Sequence, residues 1–179
     1  MNRETDTIQI PEVTPAVHDF IAQCKLFGYE NNSSLKAMKW DWCLEQGGMW
    51  YGTEDFTGST LISVTGIHPF KDGYRALFRG AQLWPRRVKG LNRYQMQSWG
   101  IYGHLPEQIK FANGKPIYIT TNISNDASGK MNRIHKSFTV MAKGGMFEYI
   151  GDEEVFYTQQ SIWKLNNDKY FEIRKRYED

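Results

Sequence analysis

A basic turn at residues 86–93 is the part of this sequence best suited to bind a ligand. Its residues, four of them cationic, are Arg86, Arg87, Val88, Lys89, Gly90, Leu91, Asn92 and Arg93. A strand-like segment precedes the turn and a helix-like segment follows it. Strand–turn–helix junctions often bind phosphate, because free backbone N–H groups and the positive end of the helix dipole converge there. The turn taken alone fits either a phosphate site or a solvated basic loop.

Several other kinds of catalytic site are excluded by residue type and spacing. Cys24 and Cys43 are too few for a disulfide framework, and their apolar, helix-like surroundings predict buried thiols. The four histidines are scattered and give no zinc-ligand spacing. Neither a Gly-Lys-Ser/Thr phosphate loop nor a Gly-x-Ser-x-Gly nucleophile turn is present.

The charge balance bears on the class of partner. The formal net charge is only +2 over 179 residues, so no global field draws the chain to nucleic acid or to a membrane. Aromatic and basic residues alternate at Trp84, Arg93, Trp99 and Tyr102, a pattern that could stack nucleobases. The positive charge is confined to one turn, however, which argues against a nucleic-acid partner. No apolar run is long enough to span a bilayer and no signal peptide is evident, so we expect a cytoplasmic location.

The first half of the chain predicts helices followed by strands. Residues 1–13 read as a lead-in containing a short edge strand. Thr14 and Pro15 begin a helix as N-cap and first helical residue, and Gly28 ends it. A polar turn at residues 31–34 starts a second helix, which Gly47-Gly48 ends. Strand-like runs then cover residues 49–56, 60–70 and 74–84, and the short turns between them predict antiparallel neighbours.

In the second half of the chain, the spacing of apolar residues changes from that of a strand to that of a helix and then back again. A helix is expected from Leu91, followed by an irregular stretch to Asn113-Gly114 and a short strand at residues 116–121. Because a helical crossover joins them, the third core strand and this strand should be parallel.

The remaining segment predicts one more helix and two strands. The helix covers residues 128–143 and ends at Gly144-Gly145. Strands at 147–150 and 155–165 are joined through Gly151-Asp152, and the state of the tail after residue 168 is left open. With no repeats or linkers, residues 1–179 form a single α+β domain with a mixed, mostly antiparallel sheet and one βαβ crossover.

This order of elements resembles the GCN5-related N-acetyltransferase (GNAT) family over roughly residues 13–165. The family's Arg/Gln-x-x-Gly-x-Gly/Ala signature is matched by Arg87 and Gly90, with Asn92 in place of the last small residue. Downstream, Asn132 lies near the family's usual Asn, and residues 145–147 lie near its Gly-Phe. The resemblance implies a three-layer α/β/α acyl-CoA N-acyltransferase architecture.

The resemblance also implies acetyl-CoA as co-substrate. The backbone amides of residues 86–93 would hold its pyrophosphate, with Asn132 as a further contact. The pantetheine arm would run along the third strand at Gln82 and Leu83, as an added strand would.

Acetyl transfer further needs a proton acceptor for the amine and a proton donor for the leaving thiolate. We assign His68 as the acceptor, with Glu54 and Asp55 as alternatives. The family commonly has a Tyr donor on the helix before Gly-Phe, but residues 128–143 contain none, so the hydroxyls of Ser137 and Thr139 are assigned as donors. His135 qualifies only if it faces the cleft. His104 either contacts substrate or is simply exposed.

Two hypotheses result. The first is an N-acetyltransferase that acts on a small-molecule or protein amine. The second is a domain of the same fold that has lost catalysis and serves as a binding or interaction module, as the missing Tyr and Asn92 suggest. A homodimer is one expected assembly, and the sequence leaves the oligomeric state open.

Overall fold

The computed structural model describes residues 7–26, 37–54, 61–77, 103–123 and 133–178 of the chain. In chain order, the elements of these segments are β1 (Thr7–Ile10), α1 (Pro15–Leu26), α2 (Ala37–Glu45), β2 (Met49–Glu54), β3 (Leu61–Phe70), β4 (Gly73–Leu77), α3 (Leu105–Ala112), β5 (Ile117–Asn122), α4 (Arg133–Lys143), β6 (Phe147–Val155), β7 (Thr158–Leu165) and α5 (Asn167–Glu178). None of these helices is both long and apolar enough to cross a membrane.

The described strands form one mixed sheet in the order β1-β2-β3-β4-β5-β7-β6. β1 with β2, β2 with β3, β5 with β7 and β6 with β7 are antiparallel pairs. β4 and β5 are parallel, as the crossover between them requires. The predicted fold class, an α+β domain with a mostly antiparallel sheet and one βαβ unit, is confirmed.

The chain divides into two compact units. One comprises Met1–Pro69 and Ala76–Asn113, and the other comprises Phe70–Arg75 and Gly114–Asp179. That both belong to a single domain stays a prediction. In the first unit, residues of β1, α1, α2, β2 and β3 form an apolar core.

Two tryptophans lie at the centre of that core. The rings of Trp40 and Trp50 stack with centroids 4.4 Å apart. The Trp50 indole N–H donates to the Trp40 carbonyl at 3.0 Å, which satisfies a polar group that would otherwise be costly to bury. Cys43 is fully buried beside them, as predicted. The predicted N-cap is also confirmed, since the Val17 N–H donates to Thr14 Oγ1 at 3.4 Å.

In the second unit, a close backbone approach begins the parallel pair. A Cβ at Gly73 would lie 2.0 Å from the Pro116 carbonyl oxygen, so only glycine fits there. The following N–H, that of Tyr74, donates to the same oxygen at 2.9 Å. The register is then Tyr74 opposite Ile117 and Arg75 opposite Tyr118.

Two sequence-based boundaries are wrong. Residues 105–112, expected to be irregular, form helix α3, which ends at Asn113 in a left-handed conformation with φ 48°. The β6–β7 turn lies at Phe156-Tyr157, whose φ values are 49° and 69°, and not at Gly151-Asp152. Gly151 instead lies at an irregularity of the β6–β7 register, with φ 141°. The tail, left open by the sequence, forms helix α5, and Asn166 Oδ1 accepts the Lys169 N–H near its start at 3.0 Å.

The β6–β7 turn generates a stability prediction. Tyr157 is 96% exposed and adopts a left-handed conformation that costs a residue with a Cβ about 1–2 kcal/mol. We expect Tyr157→Gly to raise the free energy of unfolding by about 1 kcal/mol, as measured by urea denaturation. Tyr157→Ala removes the same ring but keeps the Cβ, and should give no gain. Equal stabilisation by both variants would contradict the conformational explanation.

Candidate functional site

All of the predicted cofactor-binding residues lie outside the described part of the chain. These are Gln82, Leu83, Arg86, Arg87, Val88, Lys89, Gly90, Leu91, Asn92, Arg93 and Asn132. Their assignment stays a prediction. The three residues assigned to proton transfer, in contrast, all lie on described elements.

His68 is buried near the end of β3, with 2% of its surface exposed. Its Nδ1 lies 2.8 Å from the carbonyl oxygen of Pro69. A carbonyl can only accept, so Nδ1 carries a proton, and in the neutral ring Nε2 is the basic nitrogen. The ring also makes an edge contact with Trp42 of α2, with centroids 5.0 Å apart. His68 is therefore held in one orientation and one tautomer.

The two hydroxyl residues of α4 differ in their surroundings. Ser137 is exposed, whereas Thr139 is half-buried. Thr139 Oγ1 donates to the His135 carbonyl one turn earlier, at 3.1 Å. This bond occupies the proton that Thr139 would have to give to a thiolate.

A cleft of about 930 Å³ in the second unit lies between α4 and the β6–β7 hairpin. Thr139, His135 and Trp163 are among its lining residues. The Trp163 indole N–H donates to Thr121 Oγ1 at 2.9 Å, and the same oxygen lies 3.0 Å from His135 Nδ1. His135 thus lines the cleft, with its ring fixed through Nδ1.

Asp152 occupies the side of the cleft formed by the hairpin. Tyr149 and Ser161 both donate their hydroxyl protons to Asp152 Oδ1, each at 2.7 Å. These bonds, that of Ser161 first, hold the pKa of Asp152 below its usual value, so the group is a carboxylate at neutral pH. The same contact raises the pKa of Tyr149.

Sequence reasoning missed this cluster because it assigned Asp152 to a turn. In the observed register, Asp152 lies directly opposite Ser161 on β7. Had the turn been placed at Phe156-Tyr157, counting back along the two strands would have paired them. The exposed turn sequence gives no such signal, since neither residue is one that usually takes a left-handed conformation.

The environment of His104 also differs from the sequence-based expectation. His104 is neither exposed nor near the surface, having 0% of its surface accessible. Its Nε2 lies 2.7 Å from Thr53 Oγ1 and 3.2 Å from Ser63 Oγ, and its Nδ1 lies 2.8 Å from Thr65 Oγ1. Gln108 completes the network by donating to Thr65 Oγ1 at 3.1 Å. Both ring nitrogens are engaged, so His104 fixes α3 to β2 and β3.

Comparison with solved structures identifies the fold. An aminoglycoside 6'-N-acetyltransferase from Enterococcus faecium is similar with a TM-score of 0.58 and 14% identity, covering 90% of this chain and 96% of that one. An aminoglycoside 6'-N-acetyltransferase complexed with coenzyme A gives 0.53 and 14%, over 90% and 96% of the two chains. A protein from Bordetella pertussis described as a GNAT-family acetyltransferase gives 0.52 and 12%, over 89% and 95%.

The chain therefore has the fold of the GNAT acetyltransferases, in a divergent form. No protein-family model matches the sequence, and no curated protein matches it. At identities this low the likeness concerns the fold, and the chemistry has to be argued from residues.

The His104 network predicts acid sensitivity. Burial lowers the pKa of His104 from 6.5 to about 4. Between these two values the unfolded chain binds the proton and the folded chain does not, so stability falls as the pH falls from 6.5 towards 4. We expect the free energy of unfolding to drop by about 2 kcal/mol between pH 7 and pH 5 from this residue alone.

The measurement is urea denaturation at both pH values. His104→Gln removes the titrating group and should reduce this pH dependence, whatever its cost at pH 7. His18→Gln makes the same substitution at an exposed histidine on α1 and is the matched control. An equal pH dependence in the His104 variant would contradict the assignment.

Proposed function

We propose that this protein is an N-acetyltransferase that moves the acetyl group of acetyl-CoA to an amine. The observation that carries the proposal is the GNAT fold, in which the described pair β4 and β5 is parallel and the pairs β1–β2, β2–β3, β5–β7 and β6–β7 are antiparallel. A structure of this fold has been solved with coenzyme A. We further propose that the protein acts in the reduced cytoplasm, on a small-molecule or protein amine, and that a homodimer is a candidate assembly.

The proposed binding site for acetyl-CoA consists of the basic turn at residues 86–93 together with Gln82, Leu83 and Asn132. The alternative anion site, the N-terminus of helix α3, is poorly suited to bind a phosphate. Pro106 in its first turn has no N–H, and Glu107 adds a negative charge there. The start of α3 therefore offers an anion less than a turn with four cationic side chains does.

The proposed reaction forms a C–N bond between the acceptor amine and the thioester carbonyl carbon, and breaks the C–S bond. The amine must be neutral to attack, so its proton passes to a base, assigned to His68 through Nε2. The coenzyme A thiolate leaves and takes a proton from a donor, assigned to the hydroxyl of Ser137 or Thr139. Both hydroxyls are weak acids, and Thr139 must first release the His135 carbonyl.

Cofactor binding is tested by calorimetry with acetyl-CoA. We expect saturable binding, and we expect Arg87→Ala to weaken it at least tenfold, because a charge-assisted hydrogen bond contributes roughly 1.5–3 kcal/mol. Arg176→Ala is the matched control, since Arg176 is an exposed α5 residue paired with Glu172. The melting temperature should change little in either variant. Folded protein that binds no acetyl-CoA at millimolar concentration would overturn the proposed function.

Proton transfer is tested by following thiol release from acetyl-CoA with a panel of amines. We expect His68→Gln to lower kcat/KM about 100-fold while acetyl-CoA affinity stays unchanged, because general base catalysis contributes factors of this size. His18→Gln should be without effect. Acetyl-CoA binding with no thiol release from any amine would instead indicate a binding module without catalysis.

A further inference from the structure

The cleft between α4 and the β6–β7 hairpin has features that acetyl transfer, as proposed above, does not use. Its volume of about 930 Å³ lies within the range of small-molecule sites. Its lining combines aromatic rings with a hydrogen-bonded carboxylate, a combination that suits one class of ligand. We propose that this cleft binds an organic ammonium ion, held by the Asp152 carboxylate against the rings of Tyr149 and Trp163.

The Asp152 carboxylate is held in one orientation and can accept further hydrogen bonds. Both described hydrogen bonds to Asp152, from Tyr149 and Ser161, reach the same oxygen, Oδ1. A carboxylate has about four lone-pair sites, so Oδ2 can still accept from a ligand. Among the residues that the structure describes, Oδ2 has no hydrogen-bond or ion-pair partner. The low pKa of Asp152 keeps it charged at neutral pH, where an alkylamine is protonated.

The rings beside Asp152 suit the rest of such a ligand. The Tyr149 and Trp163 rings lie 5.3 Å apart at 54°, and Trp163 also meets the His135 ring at 5.7 Å. Trp163 is 4% exposed and is fixed by its hydrogen bond to Thr121, whereas Tyr149 is 52% exposed. The half-open phenol of Tyr149 can pack against an apolar group and its face attracts a cation, while the fixed indole beside it is part of the cleft lining.

Other charged groups of the cleft allow this assignment. Glu148 adds a second carboxylate, and Lys143 near the end of α4 is the cationic residue of the lining. No ion pair joins Lys143 to Asp152 or to Glu148 within the described segments. Apart from His135, the side chains of the cleft therefore contribute two negative charges and one positive charge, which favours a cation over an anion.

The proposal does not depend on acetyl transfer, because cation binding can be measured without acetyl-CoA. The probe is 2-phenylethylammonium, whose ammonium group matches Asp152 and whose ring matches Tyr149 and Trp163. The uncharged control is 2-phenylethanol. The readout is the indole N–H resonance of Trp163 in ¹H–¹⁵N spectra, assigned with Trp163→Phe, with affinity from the titration.

We expect the ammonium probe to shift the Trp163 resonance saturably and 2-phenylethanol to bind at least fivefold more weakly. Asp152→Asn keeps the shape of the side chain and should weaken the ammonium probe roughly fivefold, the loss of about 1 kcal/mol for a partly exposed charge pair. The matched control is Glu154→Gln, the same change of charge on the same strand but outside the cleft, with an expected change under twofold. Tyr149→Leu should also weaken the probe.

Three results would overturn the proposal. The first is an unmoved Trp163 resonance at millimolar probe. The second is equal affinity of the ammonium and the alcohol in the unmodified protein, a comparison that needs no variant to fold. The third is an equal effect of Asp152→Asn and Glu154→Gln, which would assign the attraction to net charge and not to the cleft.

Discussion

The close approach of Gly73 to Pro116 is the constraint on which the parallel strand pair depends. Without a Cβ at Gly73, the Tyr74 N–H can reach the Pro116 carbonyl and start the register. The register then lets Arg75 Nε donate to Thr120 Oγ1 at 2.8 Å. It also lets the Tyr118 hydroxyl donate to Asp72 in the β3–β4 turn at 2.7 Å, a bond that raises the pKa of Tyr118 to about 12 and keeps its proton in place. The contact between Gly73 and Pro116 thus sets the register that joins the β3–β4 turn and β4 to β5.

Successive side chains of β5 point to opposite faces of the sheet, so the register set at Gly73 also positions residues of the cleft. Tyr118 and Thr120 point to the face that holds the β3–β4 turn and Arg75, and Thr121 points to the other face. There Thr121 joins the Trp163 indole to the His135 ring. Because antiparallel register sets β7 against β5 and β6 against β7, Ser161 and Asp152 are brought opposite one another. The cleft is therefore a product of sheet register, and no local motif in the sequence encodes it.

What the sequence could and could not predict follows from the same physics. The β-branched runs of β3 and β5, the Thr14-Pro15 cap and the crossover rule predicted the sheet and its parallel pair. Helix α3 was missed because its packed side includes the polar Gln108, which interrupts an apolar period. The β6–β7 turn was misplaced because Gly151 carries the usual turn signal, whereas Phe156 and Tyr157 take left-handed conformations. Asp152 and Ser161 meet only through the pairing of β6 with β7. Because the turn between these strands was misplaced, the sequence could not predict that the two residues are neighbours.

The environments of the acidic and basic groups also separate recognition from proton transfer. Two hydroxyl donors on Oδ1 make Asp152 a weaker base than an ordinary carboxylate, so it is better suited to holding a positive charge than to removing a proton. An amine must be neutral when it attacks a thioester. A cleft that stabilises the ammonium form therefore opposes acetylation of the same nitrogen. If a ligand of the cleft is also an acceptor, its reacting amine must be a different one.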